Sequence, residues 1–217
     1  MDCMEYMSTL EDNAFSLAIV DPPYGINATN MRMGETKGHP STATLCRKTR
    51  FDKGAGKLKN RIPNTMLCDW DMFPPSAEYF KELFRVSKNQ IIFGGNYFTL
   101  PPSRCIIVWD KVQPWENFSQ VEIAWTSFNK PAKIFRCSSR GGANKDKKIH
   151  PTQKPIVLYE FIIQKFCKPG DTLLDTHLGS GSSRIAAYKL GFDFVGIEIN
   201  EQYFQDQEQR FKKFVLP

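Results

Sequence analysis

The sequence predicts an α/β fold with a doubly wound, mostly parallel sheet, and two distant segments carry this prediction. Near the start, the apolar run 17–20 ends in Asp21 and two prolines, as a buried parallel strand does when it meets residues that cannot continue a ladder. From residue 172 onward, strand, glycine-containing turn, helix, strand and helix follow one another. This alternation is typical of parallel sheets covered by helices.

The remaining helices and strands are predicted from the spacing of apolar residues and from the capping residues and prolines that begin or end each element. A short helix is expected over 3–10, with Asp2 as N-cap and Glu5 completing a capping box. A second helix is expected over 76–86, followed by strands over 90–93, 104–109 and 120–125. Pro155 fits the first turn of a helix that runs to 166. The last unit is expected as strand 172–174, helix 182–190, strand 194–198 and a helix capped by Asn200.

Size and composition suit one domain, which we expect over 1–217, because 217 residues with 41% hydrophobic content can bury one substantial core. No apolar run approaches the length of a membrane span, and the first residues lack a secretory pattern. We therefore expect a cytoplasmic protein with no membrane partner. The six cysteines lack metal-ligand spacing, which predicts neither a metal site nor a disulfide framework.

Positive charge is concentrated in one polar insertion, about residues 26–71. The insertion has no apolar period and is far longer than an ordinary connection, and its residues 30–64 hold nine basic and two acidic side chains. Since the whole chain has a net charge of only +6, the remainder is nearly neutral. A concentrated basic segment is typical of phosphate contacts, although a solvated, disordered loop is the alternative interpretation.

The turn that follows the strand at 172–174 predicts a nucleoside cofactor. Asp175 closes the strand, Gly179 and Gly181 precede the helix, and Glu198 ends the next strand. Glycines allow close backbone approach, amides at the helix start face the ligand, and a carboxylate on the second strand can hold ribose hydroxyls. The full dinucleotide fingerprint is missing, which favours a smaller adenosyl compound. A plain tight turn is the competing interpretation.

The run Asp21, Pro22, Pro23 and Tyr24 indicates chemistry on an amine. The prolines fix the backbone and leave the Pro22 carbonyl outside the strand ladder. An exocyclic base amine is a poor nucleophile because its lone pair is delocalised into the ring. The Asp21 carboxylate and the Pro22 carbonyl can accept its two hydrogens, while Tyr24 can stack on a base flipped from the duplex. A capped strand end with an exposed turn is the alternative interpretation.

Together these segments resemble the exocyclic-amine DNA methyltransferases, which act on adenine N6 or cytosine N4. The similarity is to their permuted β group, in which the D-P-P-Y half precedes the cofactor half. It is carried by the motif at 21–24, the strand segments 91–98, 105–110 and 118–125, the H-P-T-Q-K-P run 150–155, and the segments 175–181 and 196–200. The resemblance implies a circularly permuted, Rossmann-like methyltransferase fold that uses S-adenosyl-L-methionine.

The resemblance also implies a role for each matching residue. Catalysis is expected of Asp21, Pro22, Pro23 and Tyr24. The cofactor is expected to contact Asp175, His177, Gly179, Gly181, Ser182, Glu198 at the ribose, Ile199 at the adenine, Asn200, then Thr152, Gln153 and Lys154 at the methionine carboxylate, and Asp2 and Cys3 near the adenine. His177 stands where the family commonly has Phe, and we expect its ring to pack on the cofactor rather than to take part in catalysis.

Target recognition departs from the family pattern. The stretch 127–149, where the β group places its recognition domain, is very short. We therefore expect the basic insertion to share in DNA binding, with contacts from Arg47, Lys48, Arg50 and Lys53.

The resemblance implies double-stranded DNA as the partner and adenine N6 as the target, because an opening Asp is more typical of adenine enzymes than the Ser common in cytosine enzymes. Cytosine N4 is the first alternative. A protein or RNA methyltransferase normally has the cofactor half first, and a catalytically silent binding module would not need both Asp21 and Glu198. The sequence is compatible with a bacterial or phage source, a homodimer and a cognate restriction endonuclease, and decides none of them.

Overall fold

A computed structural model describes residues 1–26, 71–112, 119–138 and 148–215. Its helices are α1 (Cys3–Ser8), α2 (Ala77–Val86), α3 (Ile156–Phe166), α4 (Ser182–Lys189) and α5 (Glu201–Val215), with a 3₁₀ turn at Gly95–Tyr97. Its strands are β1 (Phe15–Val20), β2 (Ser87–Phe93), β3 (Ile106–Asp110), β4 (Val121–Thr126), β5 (Lys133–Arg136), β6 (Thr172–Asp175) and β7 (Asp193–Gly196). Most of the predicted basic insertion, including Arg47, Lys48, Arg50 and Lys53, lies outside the described residues.

The strands form one sheet in the order β5-β3-β4-β2-β1-β6-β7. Within the described part of the chain, β4 alone runs antiparallel to its neighbours β2 and β3, and every other pairing is parallel. The predicted doubly wound, mostly parallel sheet is therefore confirmed.

The sheet has a topological switch point between β1 and β6: the connections that follow these two strands lead to opposite edges of the sheet. These two strands pair in parallel, with Leu17 opposite Leu173 and Ala18 opposite Leu174. From β1 the chain continues outward to β2, and from β6 it continues the opposite way to β7. Ligands of open α/β sheets bind at the carboxyl ends of strands at such a reversal. Asp21 and the glycine turn after Asp175 therefore share one edge of the sheet.

Two apolar clusters cover the faces of the sheet. Alternation along β1 sends Leu17 and Ile19 to the face covered by α3 and α4, and Ala18 and Val20 to the face covered by α1 and α2. Since both faces of the central strands are buried, these strands appear in the sequence as continuous apolar runs.

The predicted helices and strands are all present, with ends that differ by a few residues. The prediction missed β5 (Lys133–Arg136), which pairs in parallel with β3 at one edge of the sheet. The strand is four residues long and its burial alternates between half-buried and exposed, so it leaves no apolar run in the sequence. It lies in the stretch 127–149 that we expected to serve target recognition. Among the described residues, no helix is both long enough and apolar enough to span a bilayer.

Helix α1 is tied to the rest of the fold at both ends. The Asp2 side chain accepts hydrogen bonds from the amides of Met4 and Glu5, which confirms it as the N-cap. At the other end, the Arg85 guanidinium donates to the carbonyl oxygens of Met7 and Leu10, each at 2.8 Å. Met7 is the buried residue of the helix and belongs to the cluster beneath α2.

Replacing Met7 with Ala should lower the free energy of unfolding by about 2–5 kcal/mol, because a fully buried methionine leaves a cavity. The matched change Ser8→Ala, on the exposed side of the same helix, should alter it by less than about 0.5 kcal/mol. Urea denaturation of both variants measures the difference. Equal stabilities would mean that α1 is not anchored through Met7.

Candidate active site

The D-P-P-Y motif is held rigidly at the end of β1. The amides of Tyr24 and Gly25 both donate to Oδ1 of buried Asp71, at 2.8 and 3.0 Å. The Tyr24 hydroxyl donates to Oδ1 of Asp21 at 2.7 Å. The acid and the aromatic ring are therefore fixed relative to each other, as the two prolines had led us to expect.

The Tyr24 ring lies against a turn that follows β2. Gly94 has a φ of +71°, and a Cβ at this position would lie 2.3 Å from Tyr24 Cε1, so only glycine fits. Tyr24 stacks on the half-exposed Tyr97, with ring centroids 5.0 Å apart and planes 16° apart, and it meets Phe98 edge-on. An aromatic surface therefore adjoins the Asp21 carboxylate.

Lys154 joins two carboxylates at this edge. Its Nζ lies 2.5 Å from Asp21 Oδ2 and 3.1 Å from Glu122 Oε2, and the Lys154 side chain is only 4% exposed. Lys111 Nζ lies 2.6 Å from the other Glu122 oxygen. The resemblance had assigned Lys154 to the cofactor's methionine carboxylate, whereas in this structure its amino group contacts the D-P-P-Y acid.

These charges shift one another's protonation. Burial raises the pKa of Asp21 above its ordinary value, and the nearby positive charge of Lys154 opposes the rise. Burial acts to lower the pKa of Lys154, but the two carboxylates outweigh it and the pKa is raised. For Glu122, the attraction of Lys154 and Lys111 outweighs burial, and the pKa is lowered. Mutual pairing therefore favours the charged forms of Lys154 and Glu122, whereas for Asp21 it offsets only part of the effect of burial on the pKa.

The glycine turn meets Glu198 as the spacing predicted. Gly179 and Gly181 have φ values of +49° and +70°, in the region that favours glycine. Glu198 accepts hydrogen bonds from the amides of Gly179 at 2.8 Å and Asn200 at 2.9 Å. The next residue, Ile199, has 71% of its surface exposed. A carboxylate and an apolar side chain thus stand together beside the turn.

Two other predicted cofactor residues use their side chains to build the turn. Asp175 accepts from Ser183 Oγ at 2.5 Å and from the His177 amide at 3.0 Å, and burial raises its pKa to about 7. Ser182 Oγ donates to the Lys154 carbonyl at 2.8 Å. This bond ties the glycine turn directly to the run 150–155, so the two halves of the site are in contact.

His177 packs beneath the turn. Its Nδ1 lies 2.9 Å from Thr176 Oγ1, and its ring meets Tyr79 edge-on at 5.4 Å between centroids. Burial lowers the pKa of His177 to about 4, so the imidazole is neutral at pH 7.

The run 150–155 and the N-terminus border the same turn. Thr152 Oγ1 lies 3.2 Å from His150 Nδ1, and Gln153 accepts the Ile149 amide at 3.0 Å. The Met1 ammonium donates to the Glu198 carbonyl at 3.0 Å, which places Asp2 and Cys3 beside the end of β7.

Sequence reasoning missed four residues of this site: Asp71, Gly94, Tyr97 and Glu122. A glutamate in the otherwise apolar run 121–125 was a usable signal for Glu122. Asp71 gave no such signal, because it acts only by meeting two backbone amides that lie far away in the sequence.

Comparisons with known proteins agree with this geometry. The N6/N4 DNA methylase family, described as DNA methylase, matches residues 107–209, which include the glycine turn and Glu198. The type II methyltransferase M.HpaI of Haemophilus parainfluenzae is 36% identical over 80 residues, covering 37% of this chain and 26% of that protein. M.HinfI of Haemophilus influenzae is 24% identical over 98% of this chain and 67% of that protein.

Solved structures share the fold. The complex of M1.HpyAVI with SAM has a TM-score of 0.56 at 22% identity and covers 100% of this chain and 97% of its own. The cytosine-N4-specific PvuII DNA methyltransferase has a TM-score of 0.58 at 13% identity, with 99% and 88% covered. The fold is that of the S-adenosylmethionine-dependent DNA methyltransferases. Within that fold, the chain is similar to the N6/N4 DNA methylase family, whose model matches residues 107–209.

The half-buried side chains of His150 and His177 should make the free energy of unfolding depend on pH. Unfolded His177 binds a proton below a pH of about 6.5, whereas the folded group stays neutral until about 4, so stability falls as pH drops through this window. His150, whose pKa burial also lowers to about 4, acts in the same direction. Each group contributes at most about 1.4 kcal/mol per pH unit.

His177→Phe should remove about half of this histidine contribution. The test is urea denaturation of the variant and the unchanged protein at pH 7 and pH 5, comparing the loss of stability between the two. An identical loss in both proteins would show that His177 is protonated as readily in the folded state as in the unfolded chain.

Proposed function

We propose that this protein transfers a methyl group from S-adenosyl-L-methionine to the N6 amine of adenine in double-stranded DNA. The observation that carries the proposal is the parallel pairing of β1 and β6, which sets the D-P-P-Y acid and the glycine turn on one edge of the sheet. This chain spans about a quarter of the length of M.HpaI and two thirds of that of M.HinfI. The proposed activity is therefore argued from the residues of this chain and not from those relatives.

The residues around the turn fit the proposed cofactor. Glu198 offers a carboxylate for ribose hydroxyls, and exposed Ile199 offers an apolar surface for adenine. Gly179 and Gly181 bring backbone close to a ligand without a Cβ in the way. Thr152 and Gln153, in the run that the Ser182–Lys154 bond ties to the turn, complete the proposed binding set together with Asp2 and Cys3. The bound cofactor would supply an electrophilic methyl group on a sulfonium.

The D-P-P-Y residues would activate and hold the amine. Asp21 and the Pro22 carbonyl accept its two hydrogens and direct its lone pair away from the ring. The Asp21 oxygens bond to Tyr24 and Lys154, yet each carboxylate oxygen has two lone pairs and keeps capacity for the amine. As positive charge grows on the nitrogen, the ionised carboxylate stabilises it. Tyr24 and its stacked neighbour Tyr97 provide the surface for a flipped base.

Adenine is favoured over cytosine by the Asp that opens the motif. A site formed by an acid and a carbonyl accepts either exocyclic amine, so cytosine N4 is the second candidate target. The cytosine-N4-specific PvuII enzyme shares this fold.

We further propose that the insertion 26–71, with Arg47, Lys48, Arg50 and Lys53, contacts DNA phosphates. The short stretch 127–149 would then share in target recognition within one domain.

Asp21→Ala should lower the rate of methyl transfer by about 10²-fold or more, because the growing charge on the amine loses its acceptor. The protein is incubated with labelled S-adenosylmethionine and unmethylated genomic DNA, which is then digested to nucleosides and analysed by mass spectrometry. Label is expected in N6-methyladenine. Asp193→Ala, an exposed acid at the start of β7, should retain full activity. Label in N4-methylcytosine would transfer the proposal to the second candidate, and no label would refute both.

Glu198→Gln should weaken binding of S-adenosylmethionine at least about 10-fold, which corresponds to about 1.4 kcal/mol, since the amide is a poorer acceptor for ribose hydroxyls. Isothermal calorimetry without DNA measures the dissociation constant. The exposed Glu201→Gln, at the start of α5, is the matched control. Equal affinity for the Glu198 variant and the control would place the ribose elsewhere.

A further inference from the structure

Three adjacent strands direct their side chains toward one point above the sheet. Asp21 continues the alternation of Leu17 and Ile19 on β1, Phe93 ends β2, and Glu122 shares the face of Ala124 on β4. Lys154 lies over this row. Its Nζ is 4.7 Å from the centroid of the Phe93 ring, with one carboxylate on either side.

Lys154 is shared between two carboxylates and does not form an ion pair with Asp21 alone. Its hydrogen bond to Asp21 Oδ2 at 2.5 Å is matched by a contact of 3.1 Å to Glu122 Oε2. Lys111 occupies the other Glu122 oxygen at 2.6 Å and thereby fixes the orientation of this carboxylate. Removing Glu122 would leave Lys154, among the described residues, with Asp21 and the Tyr24 hydroxyl at 3.2 Å as its hydrogen-bond partners.

The balance of charge matters for the proposed reaction. An amine that attacks a methyl group becomes positively charged, so the site must be negative where the amine stands. Asp21 and Lys154 alone form a neutral pair, which offers little to a growing cation. With Glu122 added, Lys154 is shared between two carboxylates and so neutralises Asp21 less completely, while Lys111 balances the total charge of the four groups from the far side of Glu122.

We propose that Glu122 is a positioning residue for methyl transfer: it shares Lys154 with Asp21, and so keeps the Asp21 carboxylate in place and its negative charge only partly cancelled. This inference rests on the proposed function. Glu122 contacts the lysine rather than the substrate amine, and it lies on the antiparallel strand, outside the D-P-P-Y motif and the glycine turn.

Glu122→Gln should lower the single-turnover rate of methyl transfer by about 10- to 100-fold, while KM for DNA and the dissociation constant of S-adenosylmethionine change less than about twofold. Glu122→Asp should recover part of the rate. The matched control is Glu160→Gln, which breaks the ion pair between α3 and α4 with Lys189 and should leave the rate unchanged. Thermal unfolding of each variant checks that the fold is retained.

The pH profile separates this role from a purely structural one. In the described part of the chain, the charged or titratable groups that act on Asp21, or on which it acts, are Lys154, Glu122, Tyr24, Tyr159, Asp175 and Tyr79, and Lys111 acts on it through Glu122. Glu122 raises the pKa of Asp21 and Lys154 lowers it. The acidic limb of the rate profile should therefore move to lower pH in Glu122→Gln and to higher pH in Lys154→Gln. The double variant should lie between them.

These experiments distinguish failure of the proposed function from failure of the role proposed for Glu122. If the unchanged protein methylates no DNA, the proposed function fails, and the inference fails with it. If the unchanged protein is active and Glu122→Gln matches it in rate and in acidic limb, the proposed function stands and the role of Glu122 is refuted. A rate loss with an unshifted acidic limb, or with weakened binding of S-adenosylmethionine in calorimetry, also refutes it. Should Glu122→Gln fail to fold, the same comparison is made with Glu122→Asp and Lys154→Gln.

Discussion

The parallel pairing of β1 with β6 is the constraint on which the site depends. The two strands lie more than 150 residues apart in the chain, and the pairs Leu17–Leu173 and Ala18–Leu174 set their register. A register shift of one residue would turn Leu17 and Ile19 away from α3 and α4 and send them into the cluster under α2. Packing of the hydrophobic core thus fixes the register of β1 against β6, and with it the position of Asp21 relative to the glycine turn.

Around this edge, the charge of buried Lys154 is paired with two acidic side chains. Lys154 joins Asp21 and Glu122, and the Ser182 hydroxyl bonds to the Lys154 carbonyl, so the run 150–155 links the D-P-P-Y motif to the turn. A buried ion without a partner would be strongly destabilising. The same contacts that satisfy this requirement orient the groups proposed to act on the amine, so stability and function draw on one set of interactions.

The sequence predicted the sheet class and singled out both motifs and the acid that follows β7, because each depends on local patterns: apolar runs, prolines and glycine spacing. It did not predict the partners of these motifs. The two amides held by Asp71, and the contact of Gly94 with Tyr24, join segments distant in the chain and leave no periodic signal. Strand β5 was missed because its exposed edge position removes the apolar run on which strand prediction relies.

The reversed direction of β4 has a consequence for how such a site can vary. Because β4 runs against its neighbours, its first residues lie at the same edge as the last residues of β3, and Lys111 and Glu122 meet there. Both side chains belong to the edge of the sheet rather than to its core. Substitutions at these two positions can therefore change the charge near Asp21 while the strand ladder stays intact.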